Sequence, residues 1–133
     1  MTTPLVSAEN FPSPVKVPVR VLVVDGEPLV RWALTASLSA AGYEVVTAST
    51  GDDACEIAGR THPAVVLLDL RPQDTHGQAF FDEIRRVAPA CRLLVLTTER
   101  RGGASPAWLG AQVIEKPFDL ADVVRMVGEA IPV

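Results

Sequence analysis

Nearly unbroken apolar runs alternate with amphipathic stretches along this chain from residue 19 onward. Such short apolar runs are typical of strands that are buried on both faces of a sheet. They cover Val19–Val24, Ala64–Leu68 and Leu93–Leu96, and shorter strands are predicted over Tyr43–Ala48 and Gln112–Glu115. The hydrophobic pattern therefore predicts five strands.

Residues that recur at three- and four-residue spacing between these runs predict amphipathic helices. The predicted inner-face residues are Val30, Leu34, Leu38 and Ala41 in the first helix, Ala54, Ile57 and Ala58 in the second, Phe80, Phe81, Ile84 and Val87 in the third, and Leu120, Val123, Val124, Val127 and Ile131 in the last. Gly42 is placed to end the first helix and Thr50 to cap the second. Between Thr97 and Gln112, the segment Arg101–Pro106 contains two adjacent glycines and a proline, so a helix there is expected to be one or two turns long or absent.

The strict alternation of strand and helix predicts an α/β fold. Right-handed crossovers between successive strands give a doubly wound parallel sheet with helices on both faces. The length of 133 residues fits one domain. Four prolines interrupt residues 1–18, so this part is predicted to be an extended or disordered Pro-rich tail, which could be a linker or a partner-binding arm. The folded domain is predicted to cover residues 19–133.

Composition and charge narrow the classes of partner and compartment. The net charge of −4 argues against direct binding of nucleic acid, since such a face needs a basic excess. Cys55 and Cys91 lie far apart and outside any C-x-x-C motif, which favours reduced thiols. No apolar run approaches the roughly 18 residues of a membrane span, and there is no signal-peptide pattern. We therefore expect a cytoplasmic protein with no membrane partner.

Polar side chains follow four of the predicted strands at their carboxyl ends: Asp25, Asp69, Thr97 and Lys116. In an open parallel sheet, sites form beyond these ends. Two neighbouring carboxylates repel each other unless a cation or a shared proton sits between them, and a hard divalent cation such as Mg2+ suits oxygen ligands. A carboxylate is also a competent nucleophile for phosphoryl transfer. A hydroxyl and an ammonium group can bind phosphoryl oxygens. The structural alternative is that the aspartates only begin turns or cap helices.

Four segments in this order resemble a receiver domain of two-component signalling. They are VLVVDGEPLVRW from Val21, VVLLDL from Val65, LLVLT from Leu93 and EKPF from Glu115. The first segment and the following Gly42–Val46 are most similar to receivers of nitrogen-regulation-type transcriptional activators. The resemblance covers about residues 19–131. It implies a flavodoxin-like fold of five strands in the order 2-1-3-4-5, with the fourth helix shortened or missing as argued above.

The resemblance also implies a role for each matching residue. Asp69 would accept phosphate from a histidine kinase or phosphotransfer protein, and Thr97 and Lys116 would bind the phosphoryl group. Asp25, Asp69 and the backbone carbonyl of Arg71 would hold Mg2+, with Asp25 acting through water. An effector protein or domain would be the downstream partner. The chain would not be an enzyme beyond catalysing its own aspartyl phosphorylation and dephosphorylation.

Gly26 is the main departure from the family pattern, which has a second, metal-binding acid at this position. Loss of a group that only supports a metal ligand already costs about 10–100-fold in affinity, so Mg2+ binding is expected to be weakened. Glu27 is adjacent and long enough to reach back to the metal; alternatively, it complements the dipole of the first helix.

Further departures affect the segments that respond to phosphorylation in the family. Pro72 stands one position early in the loop after Asp69, with Gln73 in the usual proline position, which alters the path near Arg71. Val113 replaces an aromatic residue, and Thr98 replaces a small one. The segment from Thr97 to Lys116 is also short, and Trp108 within it could replace the missing aromatic residue or contact a partner.

Two functions remain open from sequence: a phospho-accepting receiver, and a phosphorylation-independent protein-interaction module on the same scaffold. Fold alone does not decide between them. An unrelated enzyme on a flavodoxin-like sheet is disfavoured, because the glycine-rich phosphate-binding motifs are missing. His62 and His76 lie in different predicted loops with no obvious ligand partners.

Overall fold

A computed structural model describes residues 18–69, 77–97, 112–115 and 118–131 of the protein. Within these residues five strands and four helices follow one another: β1 (Arg20–Val24), α1 (Pro28–Ala40), β2 (Glu44–Ala48), α2 (Gly51–Thr61), β3 (Val65–Asp69), α3 (Gly77–Val87), β4 (Arg92–Thr97), β5 (Gln112–Glu115) and α4 (Leu120–Ala130). The strand bounds lie within one residue of those predicted from the apolar runs.

The strands form one parallel sheet in the order β2-β1-β3-β4-β5. In the register, Val21 of β1 is paired with Val45 of β2 and Val65 of β3. On the far side of β3, Asp69 is paired with Leu96 of β4. The doubly wound α/β fold and the strand order 2-1-3-4-5 are therefore confirmed.

Alternate strand residues supply two hydrophobic layers, one on each face of the sheet. One layer joins Leu22 and Leu68 to Phe81 of α3 and to small residues of α2. The other joins the opposite face of the sheet to α1 and α4; its members include Val21, Val23, Leu34, Leu38, Val65, Leu67, Val123 and Val127. Because the central strands are buried on both faces, they read as continuous apolar runs in the sequence.

The ends of the first two helices follow local sequence signals. The Thr50 side chain accepts a hydrogen bond from Asp53 N at 3.2 Å, which confirms the predicted cap of α2. Gly42 follows α1 with φ of 99°, a left-handed conformation that glycine adopts without a side-chain clash. Two predicted core positions are wrong: Ala41 is the exposed cap of α1, and Leu120 is 38% exposed at the start of α4. Both stand at a helix end, where the helix no longer holds its inner face against the sheet.

Several predictions concern residues outside the described ranges. They are the tail over residues 1–17, the Arg71 carbonyl, Pro72, Gln73 and His76, the shortened helix within residues 98–111 with Thr98 and Trp108, and Lys116.

Candidate functional site

The carboxyl edge of the sheet brings Asp25 and Asp69 together. Asp25 directly follows β1, and Asp69 is the last residue of β3. Val24 is paired with Leu68 in the register, so the two aspartates are the next residues along neighbouring strands. Asp25 is only 1% exposed, and Asp69 is only 9% exposed. Two carboxylates held side by side away from solvent require a compensating cation or a shared proton.

Glu27 adds a third carboxylate to this pair. One carboxylate oxygen from each of Asp25, Glu27 and Asp69 lies within 4.8 Å of the others. Glu27 is exposed, whereas the two aspartates are buried, so the cluster opens to solvent on the side of Glu27. This placement is compatible with the role toward the metal site that the sequence left open for Glu27. The acidic side chain also stands immediately before α1, where it complements the helix dipole.

Hydrogen bonds hold the short connection between β1 and α1. Asp25 N donates to Ala48 O at 3.1 Å, and Glu27 N donates to Asp25 Oδ1 at 2.9 Å. Arg31 Nη1 reaches back from α1 and donates to Asp25 O at 2.7 Å. Arg31 N donates to Glu27 O at 3.0 Å as the first turn of the helix closes. Polar groups on both sides of Gly26 are therefore fixed.

Arg31 is the residue at this edge that the reasoning from sequence did not select. The available signal was its position four residues after Glu27, which places the two side chains on the same face of a helix. What the sequence could not show is that the guanidinium bonds to a backbone carbonyl of the loop.

The donor set fits a hard divalent cation. All three side chains offer carboxylate oxygens, which are the ligands that Mg2+ and Ca2+ prefer, and Mg2+ is usually held by one or two carboxylates together with water and phosphate oxygens. A dication between Asp25 and Asp69 would also neutralise the two buried charges. The residues present are thus suited to the Mg2+ that the resemblance implies.

The backbone places Thr97 at the same edge of the sheet. Thr97 ends β4, one residue beyond Leu96, which is paired with Asp69. Glu115 of β5 is in turn paired with Thr97, and Lys116 is the next residue in the chain. The side chain of Thr97, the whole of Lys116 and the Arg71 carbonyl lie outside the described part of the structure, so their predicted contacts are not tested.

The two cysteines are not members of the acidic cluster. Both are free and partly buried, and they pack against the layer that contains α2 and α3. Burial raises the pKa of the Cys55 thiol, and the nearby carboxylates of Glu83 and Asp52 raise it further. Burial likewise raises the pKa of the Cys91 thiol. Neither thiol has the lowered pKa that a reactive cysteine needs.

Exposed apolar side chains stand on α1 beside the acidic cluster. Leu29 is 81% exposed and Trp32 is 70% exposed, although α1 buries Leu34 and Leu38 against the sheet. In the described part of the chain, none of the helices has the length and apolar character required to cross a membrane.

Comparison with curated proteins gives relatives among transcriptional regulators. The chain is 33% identical over 112 residues to the probable transcriptional regulatory protein TcrX of Mycobacterium tuberculosis, covering 80% of this chain and 47% of that protein. It is 30% identical over 114 residues to the DNA-binding transcriptional regulator NtrC of Escherichia coli, covering 84% of this chain and 24% of that protein. The chain thus spans less than half the length of these relatives.

Comparison with solved structures gives the same fold. The chemotaxis protein CheY4 of Vibrio cholerae superposes with a TM-score of 0.77 at 26% identity, covering 86% of this chain and 100% of that one. The response regulator TrrA of Thermotoga maritima, in complex with Mg(2+)-BeF, superposes with a TM-score of 0.74 at 26% identity, covering 85% and 99% of the two chains.

The family comparison covers most of the folded residues. Residues 21–128 match the response regulator receiver domain, a range that includes β1 from its second residue, the other four strands and the whole acidic cluster. Receiver domains are signalling modules that interact with histidine kinases and effector domains. Together with the fold, this match shows that the chain belongs to the response regulator receiver domain family of two-component systems.

Proposed function

We propose that this chain is a phospho-accepting receiver whose acceptor is Asp69. The observation that carries the proposal is the carboxylate cluster of Asp25, Glu27 and Asp69 within 4.8 Å at the carboxyl edge of the sheet. Asp69 is the member at the end of the central strand β3, flanked by β1 and β4. This position matches the phospho-acceptor implied by the family resemblance.

The proposed chemistry is transfer of one phosphoryl group to a carboxylate. A carboxylate oxygen of Asp69 attacks the phosphorus of a phosphohistidine on a kinase or phosphotransfer protein. The phosphorus–nitrogen bond breaks, the imidazole leaves with the electron pair, and an acyl phosphate forms on Asp69. Lys116 and Thr97 are proposed to bind the transferred phosphoryl oxygens as donors.

Asp25 and Asp69 are proposed as the principal residues for Mg2+, with the Arg71 carbonyl as the third ligand. Bound Mg2+ supplies positive charge that offsets the negative charge of the phosphoryl group and the carboxylates. Gly26 removes the family's second acid, and we propose that Glu27 partly replaces it. The cluster geometry supports this replacement because the Glu27 carboxylate already lies beside the two aspartates.

A phosphorylation-independent interaction module is the second candidate. Gly26 favours it, since the chain lacks one of the acids on which metal-dependent phosphorylation relies in the family. In either case we propose a cytoplasmic domain over residues 19–133, preceded by a Pro-rich disordered tail over 1–18, with an effector as partner and no direct contact with nucleic acid or membrane.

Phosphorylation with a small-molecule donor tests the proposal directly. The full chain is incubated with acetyl phosphate or phosphoramidate and Mg2+, and its intact mass is measured. We expect one added phosphoryl group, lost in Asp69→Asn and retained in Asp52→Asn, an exposed aspartate of α2. Absence of the adduct under forcing conditions would refute the phospho-acceptor. Partner binding that is unchanged in Asp69→Asn would then support the interaction module.

A further inference from the structure

Arg31 links α1 to the loop that carries the acidic cluster. Its side chain is half-buried, and Nη1 donates to the carbonyl oxygen of Asp25 at 2.7 Å. The bond therefore runs from the fourth residue of the helix to the first residue of the three-residue connection after β1. Charge-assisted hydrogen bonds of this kind are stronger than those between neutral groups.

Gly26 is the middle residue of that connection and has no side chain with which to anchor it. The structure holds the residues on either side instead. Asp25 is fixed through its amide by Ala48 O and through its carbonyl by Arg31, and the Glu27 amide is fixed by Asp25 Oδ1. Of these bonds, the one from Arg31 is made by a side chain outside the loop.

We propose that Arg31 is a positioning residue for the divalent cation, because it holds the Asp25–Glu27 loop so that Glu27 can act in place of the acid missing at Gly26. The inference rests on the proposed function. Without the bond to Asp25 O, the bond from Glu27 N to Asp25 Oδ1 would be left to restrain the peptide after the glycine. The loop would then rotate more easily, and the exposed Glu27 side chain would spend less time beside the buried pair.

The charge of Arg31 and its hydrogen bond act in opposite directions on a bound cation. A guanidinium near the site repels a dication, so removing only this charge would tighten Mg2+ binding. Loss of the positioning bond would weaken it. The direction of the measured change therefore separates the two effects.

The test is a titration of the full chain with Mg2+, monitored through amide chemical shifts, for the wild type, Arg31→Met and Arg31→Lys. Groups that support metal ligands contribute about 10–100-fold to affinity, so Arg31→Met is expected to weaken binding by about 10-fold or more. Arg31→Lys keeps the charge and one donor, and we expect a smaller loss. Arg125→Met is the matched control, since Arg125 pairs with Glu129 on the surface of α4.

The same substitution in a Gly26→Asp background gives the decisive comparison. An aspartate at position 26 supplies a ligand that does not depend on Glu27, so Arg31→Met should there cost less than about 3-fold, well below the 10-fold typical of a supporting residue. Hydrogen exchange in metal-free protein is the second readout. The Glu27 amide should exchange faster in Arg31→Met than in the wild type, while core amides of β3 remain unchanged.

Two results would overturn this role while leaving the site itself intact. One is Mg2+ binding by Arg31→Met that equals or exceeds that of the wild type. The other is an equal loss with and without Gly26→Asp, together with unchanged exchange at Glu27. A wild-type chain that binds no Mg2+ at tens of millimolar would instead refute the proposed metal site, and the role of Arg31 with it.

Discussion

Gly26→Asp should make the protein less stable than the wild type without metal and more stable than the wild type in excess Mg2+. The substitution adds a fourth carboxylate next to the three of the acidic cluster, whose oxygens already lie within 4.8 Å of one another. At that separation two unit charges repel by about 0.9 kcal/mol in water and about 3.5 kcal/mol at an effective dielectric of 20. Since Gly26 is exposed, the value in water applies to each of the three pairs. Salt screening and the less flexible unfolded backbone of an aspartate offset part of this repulsion, so the free energy of unfolding without metal should fall by about 1 kcal/mol.

Mg2+ should more than restore this loss. Because a missing supporting group alone costs about 10–100-fold in affinity, a restored ligand should tighten binding by about 10-fold or more. At saturating Mg2+, each 10-fold in affinity for the native state adds about 1.4 kcal/mol to the free energy of unfolding. The variant should therefore be less stable than the wild type in EDTA and more stable in excess Mg2+.

Urea unfolding in EDTA and in excess Mg2+ measures both the loss of stability without metal and the gain of stability with metal. Gly26→Asn is the matched control, because it restricts the unfolded backbone as Asp does but adds no charge. The difference in unfolding free energy between Mg2+ and EDTA should be larger for Gly26→Asp than for Gly26→Asn. The excess should be at least about 1.4 kcal/mol, which corresponds to 10-fold tighter binding of Mg2+. Equal Mg2+ dependence in the two variants would refute the reasoning that an acid at position 26 reaches the bound metal.

Three further predictions concern α2 and its contacts. Gly59→Ala should raise the free energy of unfolding by about 0.5–1 kcal/mol, measured in urea, since alanine favours the helix and its Cβ would stand 3.5 Å from the nearest α3 side chain, an ordinary contact. His62→Gly should also raise the free energy of unfolding by about 0.5–1 kcal/mol, because His62 has a left-handed φ of 49°, which glycine adopts without a steric cost. His62→Ala should not raise it, since alanine keeps the Cβ. Glu83→Gln should speed alkylation of Cys55 but not of Cys91, because the Glu83 carboxylate raises the pKa of the Cys55 thiol alone; equal acceleration at both thiols would contradict this.

The fold could be predicted from sequence because the central strands, which are buried on both faces, give continuous apolar runs. β1 and β3 bury every residue from Val21 to Val24 and from Val65 to Asp69, so their apolar runs have no competing helical period. The edge strand β2 is only partly buried, and its prediction began one residue early, at Tyr43. Helix ends were less predictable, since Ala41 continues the helical spacing but lies beyond the last turn of α1.

The acidic site was predictable only as far as strand ends determine it. Asp25 and Asp69 follow from the two apolar runs and their parallel pairing, which leave the next residues side by side. The place of Glu27 depends instead on the rotation of one peptide after Gly26. The Glu27 amide of that peptide donates to Asp25 Oδ1, and Arg31 donates to the Asp25 carbonyl of the peptide before it. Hydrophobic periodicity does not encode such contacts between side chains and backbone. If Arg31 holds this loop as we propose, a glycine in a metal loop need not mean a lost site, because a residue outside the loop restricts the backbone that the glycine leaves free.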